Sequence, residues 1–177
     1  MAGLWPAGWE AARAEPMAAP LILTLALPPA LQRAADERRA IDAPEAARHA
    51  PAHISLFRHL PGPSLDTLAN DLRALARATP APSFKLGSPL RREGMWMAPA
   101  QSPDADRLRE TLASLWHGLL APGDKAPPRL HLSLARATGR TAAPHALPAG
   151  PWRSPALLLW RHGAARWSPL VAFAFHR

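Results

Sequence analysis

The chain of 177 residues contains neither cysteine nor tyrosine, and it has no long hydrophobic run. Without a thiol the protein cannot form a disulfide, a thiolate nucleophile or a cysteine-based zinc site. This composition fits a reducing compartment, and we expect a cytoplasmic protein. The apolar segment Leu21–Leu27 is too short to span a membrane, and residues 1–20 lack the apolar core of a signal peptide. The sequence therefore predicts a protein without a membrane partner.

The charge of the chain is strongly positive, with 21 Lys and Arg residues against 13 Asp and Glu residues and a formal net charge of +8. Such a surface attracts polyanions, so RNA and nucleotides become candidate partners, with a basic protein that lacks them as the alternative. The length and the apolar fraction of 48% suit one domain, or two small lobes that share a core. We expect residues 1–18 to form a disordered tail and residues 19–177 to form a single monomeric domain.

A repeated hexapeptide is the most informative feature of the sequence. His53-Ile54-Ser55-Leu56-Phe57-Arg58 and His131-Leu132-Ser133-Leu134-Ala135-Arg136 both read His, apolar, Ser, Leu, apolar, Arg. A single His-x-Ser triplet arises easily by chance, whereas a match at six positions is a sign of duplicated halves. Two imidazoles, each followed by a hydroxyl two residues further on, are the groups that acid–base chemistry at a phosphate needs.

Both hexapeptides alternate between apolar and polar residues as β-strands do. On a regular strand His53 and Ser55 lie on one face about 7 Å apart, and the second hexapeptide repeats this arrangement. The closing arginine of each copy, Arg58 or Arg136, would point to the opposite face unless the strand ends or bulges there.

The rest of the chain reads as the strands and helices of an α+β protein. Strands are predicted at Leu21–Leu27, His53–Phe57, Phe84–Gly87, Gly94–Met97, Arg129–Ala135, Ala156–Arg161 and Leu170–Phe175. One helix is predicted from Pro28-Pro29 to about Ile41, and two amphipathic helices are predicted after the capping residues Ser64 and Ser102. Loops are expected around Pro44 and Pro51, over Ser88–Glu93 and over Gly139–Pro151.

The two His-x-Ser-apolar motifs, one in each half of the chain, resemble those of the 2H phosphoesterase superfamily. Its members include bacterial 2′-5′ RNA ligases and cyclic nucleotide phosphodiesterases. The resemblance extends from about Leu21 to Phe175, and it implies a duplicated, bilobal fold. In that fold two antiparallel sheets form a central cleft and the helices lie on the outside. The family has Thr more often than Ser in the motifs, and Ser keeps the hydroxyl but lacks the methyl group that restricts χ1.

The resemblance also implies the chemistry. His53 and His131 would be the catalytic pair, and Ser55 and Ser133 would hold the phosphate oxygens. The expected reaction is hydrolysis of a 2′,3′-cyclic phosphate end of RNA or a nucleotide, without a metal or another cofactor. With a 5′-hydroxyl as the nucleophile in place of water, the same site would give 2′-5′ ligation. One imidazole would take a proton from water while the other protonates the leaving oxygen, and the sequence leaves open which does which.

Further cationic and aromatic side chains are candidate substrate contacts. Phosphates could be met by Arg58, Arg136, Lys85, Arg91 and Arg92, with a structural or solvated role as the alternative for each. Four tryptophans could stack on a base, although packing inside the protein is favoured for Trp96, Trp152, Trp160 and Trp167. A metal site at His49, His53 and His59 is disfavoured because prolines break the helical spacing and no carboxylate lies beside them.

Two other classes of protein fit the same residues. The chain could be a non-catalytic RNA- or nucleotide-binding protein that keeps the cleft, although a binder has no need for two titrating imidazoles. It could also be a basic scaffold in which the repeat is inherited structure only. Substitution of His53 and His131 separates an enzyme from both alternatives, and salt-sensitive RNA binding without turnover would separate the binder from the scaffold.

Overall fold

A computed structural model describes residues 18–137 and 142–176 of the chain, so the predicted N-terminal tail lies outside them apart from Ala18. The strands are β1 (Leu21–Leu25), β2 (Ile54–Leu60), β3 (Ser83–Leu86), β4 (Leu90–Arg92), β5 (Met95–Gln101), β6 (His131–Arg136), β7 (Trp152–Arg153), β8 (Ala156–Arg161) and β9 (Ser168–Ala174). The helices are α1 (Pro29–Asp42), α2 (Pro44–His49), α3 (Leu65–Ala78), α4 (Pro103–Leu115) and α5 (Pro122–Lys125), with a 3-10 turn at Gly62–Ser64. The predicted α+β class is confirmed. Across the described ranges, no helix combines the length and the apolar character that a membrane crossing requires.

The described strands join into one antiparallel sheet, in the order β7-β3-β5-β6-β2-β1-β8-β9, with β4 also paired to β5. The expectation of two separate sheets is therefore corrected. The physical reason is that the two motif strands hydrogen-bond to each other, with Ile54 of β2 opposite Leu132 of β6. Their register consists of this one pair, whereas β1 and β8 pair over five residues. The two motif strands thus meet at a narrow junction in the middle of the sheet.

The two faces of the sheet have different partners, as β1 illustrates. Leu21, Leu23 and Leu25 enter the main hydrophobic core together with residues of α1, α3 and α4. Ile22 packs on the opposite face, in a smaller apolar cluster with residues of β8. Because successive side chains of a strand point to opposite faces, burial of Ile54 and Leu132 in the main core turns the neighbouring motif residues toward the second face.

Two capping residues were predicted, and one of them acts as expected. The Ser102 hydroxyl accepts a hydrogen bond from the backbone N–H of Ala105 at 3.1 Å, with Pro103 at the first position of α4. Ser64 stands at the start of α3, but its side chain makes no capping hydrogen bond. The helix depends instead on its apolar face, where Leu68 and Leu72 are fully buried.

Two segments predicted as loops contain regular structure. Helix α2 begins at Pro44, and the buried Arg39 guanidinium stabilises it by donating to the backbone oxygens of Ala46 and Ala50 at 3.2 and 2.7 Å. Strand β4 forms a hairpin with β5 through Glu93 and Gly94, whose φ angles are 49° and 74°. A two-residue turn with positive φ at both positions matches the twist of a hairpin, but Glu93 is not a residue that signals it.

Candidate active site

The two motifs lie together because β2 and β6 are neighbours in the sheet. Continuing the Ile54–Leu132 register by one residue on either side places the histidine of each motif opposite the serine of the other. A cavity of about 280 Å³, which we call the central cavity, opens at this junction. Both histidines and both serines line it: His53, Ser55, His131 and Ser133. The tertiary structure therefore brings together all four residues singled out by the repeat.

Both motif strands carry a β-bulge at the same position. In β2 the register with β1 shifts between Ser55 and Phe57, and in β6 the register with β5 shifts between Ser133 and Ala135. The leucine between them is the extra residue in each case, so two successive side chains are buried. The two hexapeptides consequently share one burial pattern, with their second, fourth and fifth residues buried. The bulge brings Arg58 back to the face of the motif histidine, and Arg58 lines the central cavity.

Each motif histidine is held by a backbone oxygen two residues before it. Nδ1 of His53 lies 2.7 Å from the carbonyl oxygen of Pro51, and Nδ1 of His131 lies 2.7 Å from that of Arg129. Because a carbonyl oxygen can only accept, Nδ1 carries the hydrogen in both rings. The Nε2 atom of each imidazole is then available to exchange a proton with a bound molecule.

The environment of His53 strongly favours its neutral form. Burial lowers the pKa of His53 to about 4, the hydrogen bond to Pro51 opposes this, and the positive charges of Arg39 and Arg58 add to the lowering. The indole ring of Trp167 covers the imidazole, with the two ring centroids 4.4 Å apart. At neutral pH His53 is therefore an uncharged proton acceptor.

Three of the cationic residues predicted as substrate contacts line neither the central cavity nor the larger cavity beside it. Arg136 is exposed. Lys85 lies on β3, opposite Gln101, and is separated from β6 by β5. Arg91 donates to the backbone oxygen of Ala137 at 3.2 Å.

A second cavity of about 420 Å³, which we call the basic cavity, adjoins the central one and shares Ser55, Arg58 and His131 with it. Its wall also includes Arg92, one of the candidate phosphate contacts, and Arg129, which the sequence did not single out. Arg92 lies in the segment predicted as a loop, and Arg129 precedes the second hexapeptide. The position of Arg129, two residues before a motif histidine, was the one feature of the sequence that could have marked it as a residue of the site.

Asp124 is a further residue that sequence reasoning missed. Its buried carboxylate accepts the backbone N–H groups of Arg58 and His59, at 3.0 and 2.7 Å. The guanidinium of Arg109 donates to the backbone oxygens of Asp124 and Ala126 and lies 4.6 Å from the centroid of the Phe57 ring. These contacts hold the end of β2 that carries Arg58.

The four tryptophans have different surroundings. Trp160 is buried, and its indole N–H donates to the Thr24 hydroxyl at 2.9 Å. The indole N–H of Trp152 donates to the backbone oxygen of Pro148, and Trp96 packs against the main core. Trp167 alone of these four lines the central cavity.

Among the residues described, no three His, Asp or Glu side chains lie close enough to hold one metal ion.

Solved structures of similar fold share little sequence with this chain. TT0787 of Thermus thermophilus superimposes with a TM-score of 0.68 at 22% identity, covering 88% of this chain and 97% of TT0787. A structure described as a phosphoesterase gives a TM-score of 0.65 at 19% identity, covering 90% and 99%. LigT of E. coli in complex with NADP+ gives a TM-score of 0.62 at 17% identity, again covering 90% and 99%. At these identities the likeness establishes the fold.

No curated protein matches the sequence at a significant level. The family model described as the 2′-5′ RNA ligase superfamily matches residues 27–162, which include both hexapeptides and most of the described chain. The chain belongs to the 2′-5′ RNA ligase superfamily of 2H phosphoesterases.

Proposed function

We propose that this protein is a metal-independent phosphodiesterase that hydrolyses 2′,3′-cyclic phosphate ends of RNA or nucleotides, with His53 and His131 as its acid–base pair. The observation that carries the proposal is the convergence of two imidazoles, two hydroxyls and the Arg58 guanidinium on one cavity. Membership of a superfamily named for RNA ligation supports a phosphoester substrate. LigT, which shares the fold, has been solved in complex with 3′-AMP.

In the proposed reaction a water molecule attacks phosphorus, and a new P–O bond forms as the bond to one ribose oxygen breaks. One imidazole takes a proton from the water, and the other gives a proton to the departing ribose oxygen, so protons balance. The hydroxyls of Ser55 and Ser133 donate to the non-bridging oxygens as negative charge develops on them. With a 5′-hydroxyl as the nucleophile in place of water, the same groups would catalyse 2′-5′ ligation.

The protonation state of the free protein suggests how the two roles are divided. A pKa of about 4 leaves His53 neutral at pH 7, so its Nε2 is ready to accept a proton. The proton for the leaving oxygen is then assigned to His131, which is more open to the basic cavity. We expect kcat/KM to decline on the acid side near pH 4, where His53 becomes protonated.

The first experiment is hydrolysis of an RNA that ends in a 2′,3′-cyclic phosphate, in the presence of a chelator. We expect His53→Ala and His131→Ala each to lower kcat/KM by about 10²–10⁴, because each removes one acid–base group. The matched control is His145→Ala, since His145 is exposed and lines neither cavity. Full activity in His131→Ala would contradict the proposal, and RNA binding without turnover by the wild type would favour the non-catalytic binder.

A further inference from the structure

The charges around the basic cavity do not cancel. Four arginines and two acidic residues line it: Arg58, Arg92, Arg109, Arg129, Glu93 and Asp124. Of these, Arg109 and Asp124 are buried and lie together, the Arg109 guanidinium donating to the Asp124 backbone oxygen. Both residues also hold β2 and α5 together. Because the positive charge of Arg109 offsets the negative charge of Asp124, this pair contributes little net charge to the cavity.

The remaining arginines are poorly compensated. Arg92 meets Glu93 at 3.3 Å, but both side chains are exposed, and an exposed pair of this kind is weak. Within the described ranges, the guanidinium groups of Arg58 and Arg129 have no ion pair or hydrogen bond. Each of the two is tied only through its backbone, Arg58 to Asp124 and Arg129 to His131. The backbone positions are set while the charged groups stay free for a ligand.

The position of this charge relative to the reacting groups suggests what it binds. The basic cavity and the central cavity share Ser55, Arg58 and His131, so a bound molecule can extend from one into the other without leaving the surface. On the other side of the junction, a separate cavity of about 310 Å³ touches His53, but its wall is mainly apolar and carries Arg33 together with the acidic Asp36. Guanidinium groups favour phosphate, and the excess of them lies on the His131 side.

We propose that the basic cavity binds a second phosphate of the substrate, the one attached to the 5′ oxygen of the ribose that carries the cyclic phosphate. Arg58 and Arg129 donate to it, and Arg92 adds to the attraction. The preferred substrate is then an oligonucleotide end and not a nucleoside cyclic phosphate. The volume of the cavity, about 420 Å³, is within the range of sites that hold small molecules. This inference rests on the proposed function, because it assumes that the cyclic phosphate occupies the central cavity.

The test compares three substrates that differ in the second phosphate. The first is a nucleoside 2′,3′-cyclic phosphate, which lacks it. The second is a dinucleotide ending in a cyclic phosphate, and the third is that dinucleotide with an uncharged methylphosphonate linkage. The wild type should have a higher kcat/KM for the charged dinucleotide by about 10-fold or more, and the methylphosphonate should lose this advantage. Arg129→Gln should remove most of the advantage, so that the ratio of kcat/KM for the charged dinucleotide to that for the nucleoside substrate falls toward one. Arg77→Gln, an exposed arginine on α3, is the control for net charge.

Salt provides a second readout. The slope of log kcat/KM against log salt for the charged dinucleotide should be shallower in Arg129→Gln than in the wild type, because one contact between charged groups, which salt screens, has been removed. Arg77→Gln should leave the slope unchanged. Equal kcat/KM for the charged and methylphosphonate dinucleotides would overturn the inference while leaving the proposed function intact.

Failure of the proposed function would look different, because none of the three substrates would be turned over. In that case the binding of the corresponding 2′-phosphate products, measured by calorimetry, tests the second phosphate site. Tighter binding of the dinucleotide product than of the mononucleotide product, lost in Arg129→Gln and kept in Arg77→Gln, would support the second phosphate site. Equal affinities in the wild type would overturn it.

Discussion

Removal of the Trp167 indole should raise the pKa of His53. Burial is the largest cause of the low value, about 4, and the indole lies over the imidazole at a centroid distance of 4.4 Å. In Trp167→Ala one face of the imidazole becomes hydrated, which favours its charged form. The positive charges of Arg39 and Arg58 remain and still act against protonation. We therefore expect the pKa of His53 to rise above about 4 and to stay below the ordinary 6.5.

The assay is an NMR titration of the imidazole Cε1 proton of His53 from pH 3 to pH 8, with the resonance assigned by its loss in His53→Ala. The backbone bond from the Trp167 N–H to the oxygen of His49 does not involve the indole, so the loop should keep its position in the variant. Trp152→Ala is the matched control, because this indole bonds to Pro148 away from the central cavity. If the proposed reaction occurs, the acid limb of kcat/KM should move with the titration.

Two results would refute this reasoning. A wild-type His53 that titrates near 6.5 would mean that water reaches the imidazole freely. An unchanged low pKa in Trp167→Ala, with the titration of the control also unchanged, would mean that the arginine charges or the sheet itself cause the shift and that the indole does not.

Two further predictions concern stability. Because the folded-state pKa of His53 lies below its unfolded value of about 6.5, the unfolded chain binds the proton first, and stability present above pH 6.5 is lost as the pH falls to about 4. The loss should reach about 3 kcal/mol, measured by urea unfolding against His53→Phe, and equal pH dependence in both proteins would contradict it. Asp124→Asn should lower the free energy of unfolding by about 2–3 kcal/mol, because its buried carboxylate accepts two N–H groups at the end of β2. A change below about 0.5 kcal/mol in the urea midpoint analysis would show that these bonds contribute little.

The positions of the strands and helices could largely be predicted because the patterns that specify them are local. Alternation of polar and apolar residues identified β2 and β6, and the boundaries of β8 were predicted at Ala156–Arg161 as observed. Helix α2 was missed because part of its stabilisation comes from the Arg39 side chain, which reaches it from another helix. Strand β4 was missed because pairing to β5 compensates for a turn residue, Glu93, that carries no hairpin signal.

In the candidate site, too, the residues of a local motif could be predicted and those brought together by long-range pairing could not. The repeat indicated His53 and His131, but it could not place Arg58, whose direction depends on a bulge in the pairing of β2 with β1. Arg92 and Arg129 come from separate segments and share a cavity only after the sheet has formed. No pattern in the sequence indicates that such residues will be neighbours, since their proximity depends on long-range pairing.

The sequence by itself determined the chemical groups of this protein: the two His-x-Ser strands, the absence of thiols and the excess of arginine. These are properties of single residues and of short periodic segments, and they do not depend on distant contacts. Only the tertiary structure decided that the two strands are neighbours, that both are bulged at the same residue, and that one imidazole is covered by Trp167. The protonation of His53 depends on the charges of Arg39 and Arg58, which are close in sequence, and on burial beside Trp167, which lies in the other half of the chain.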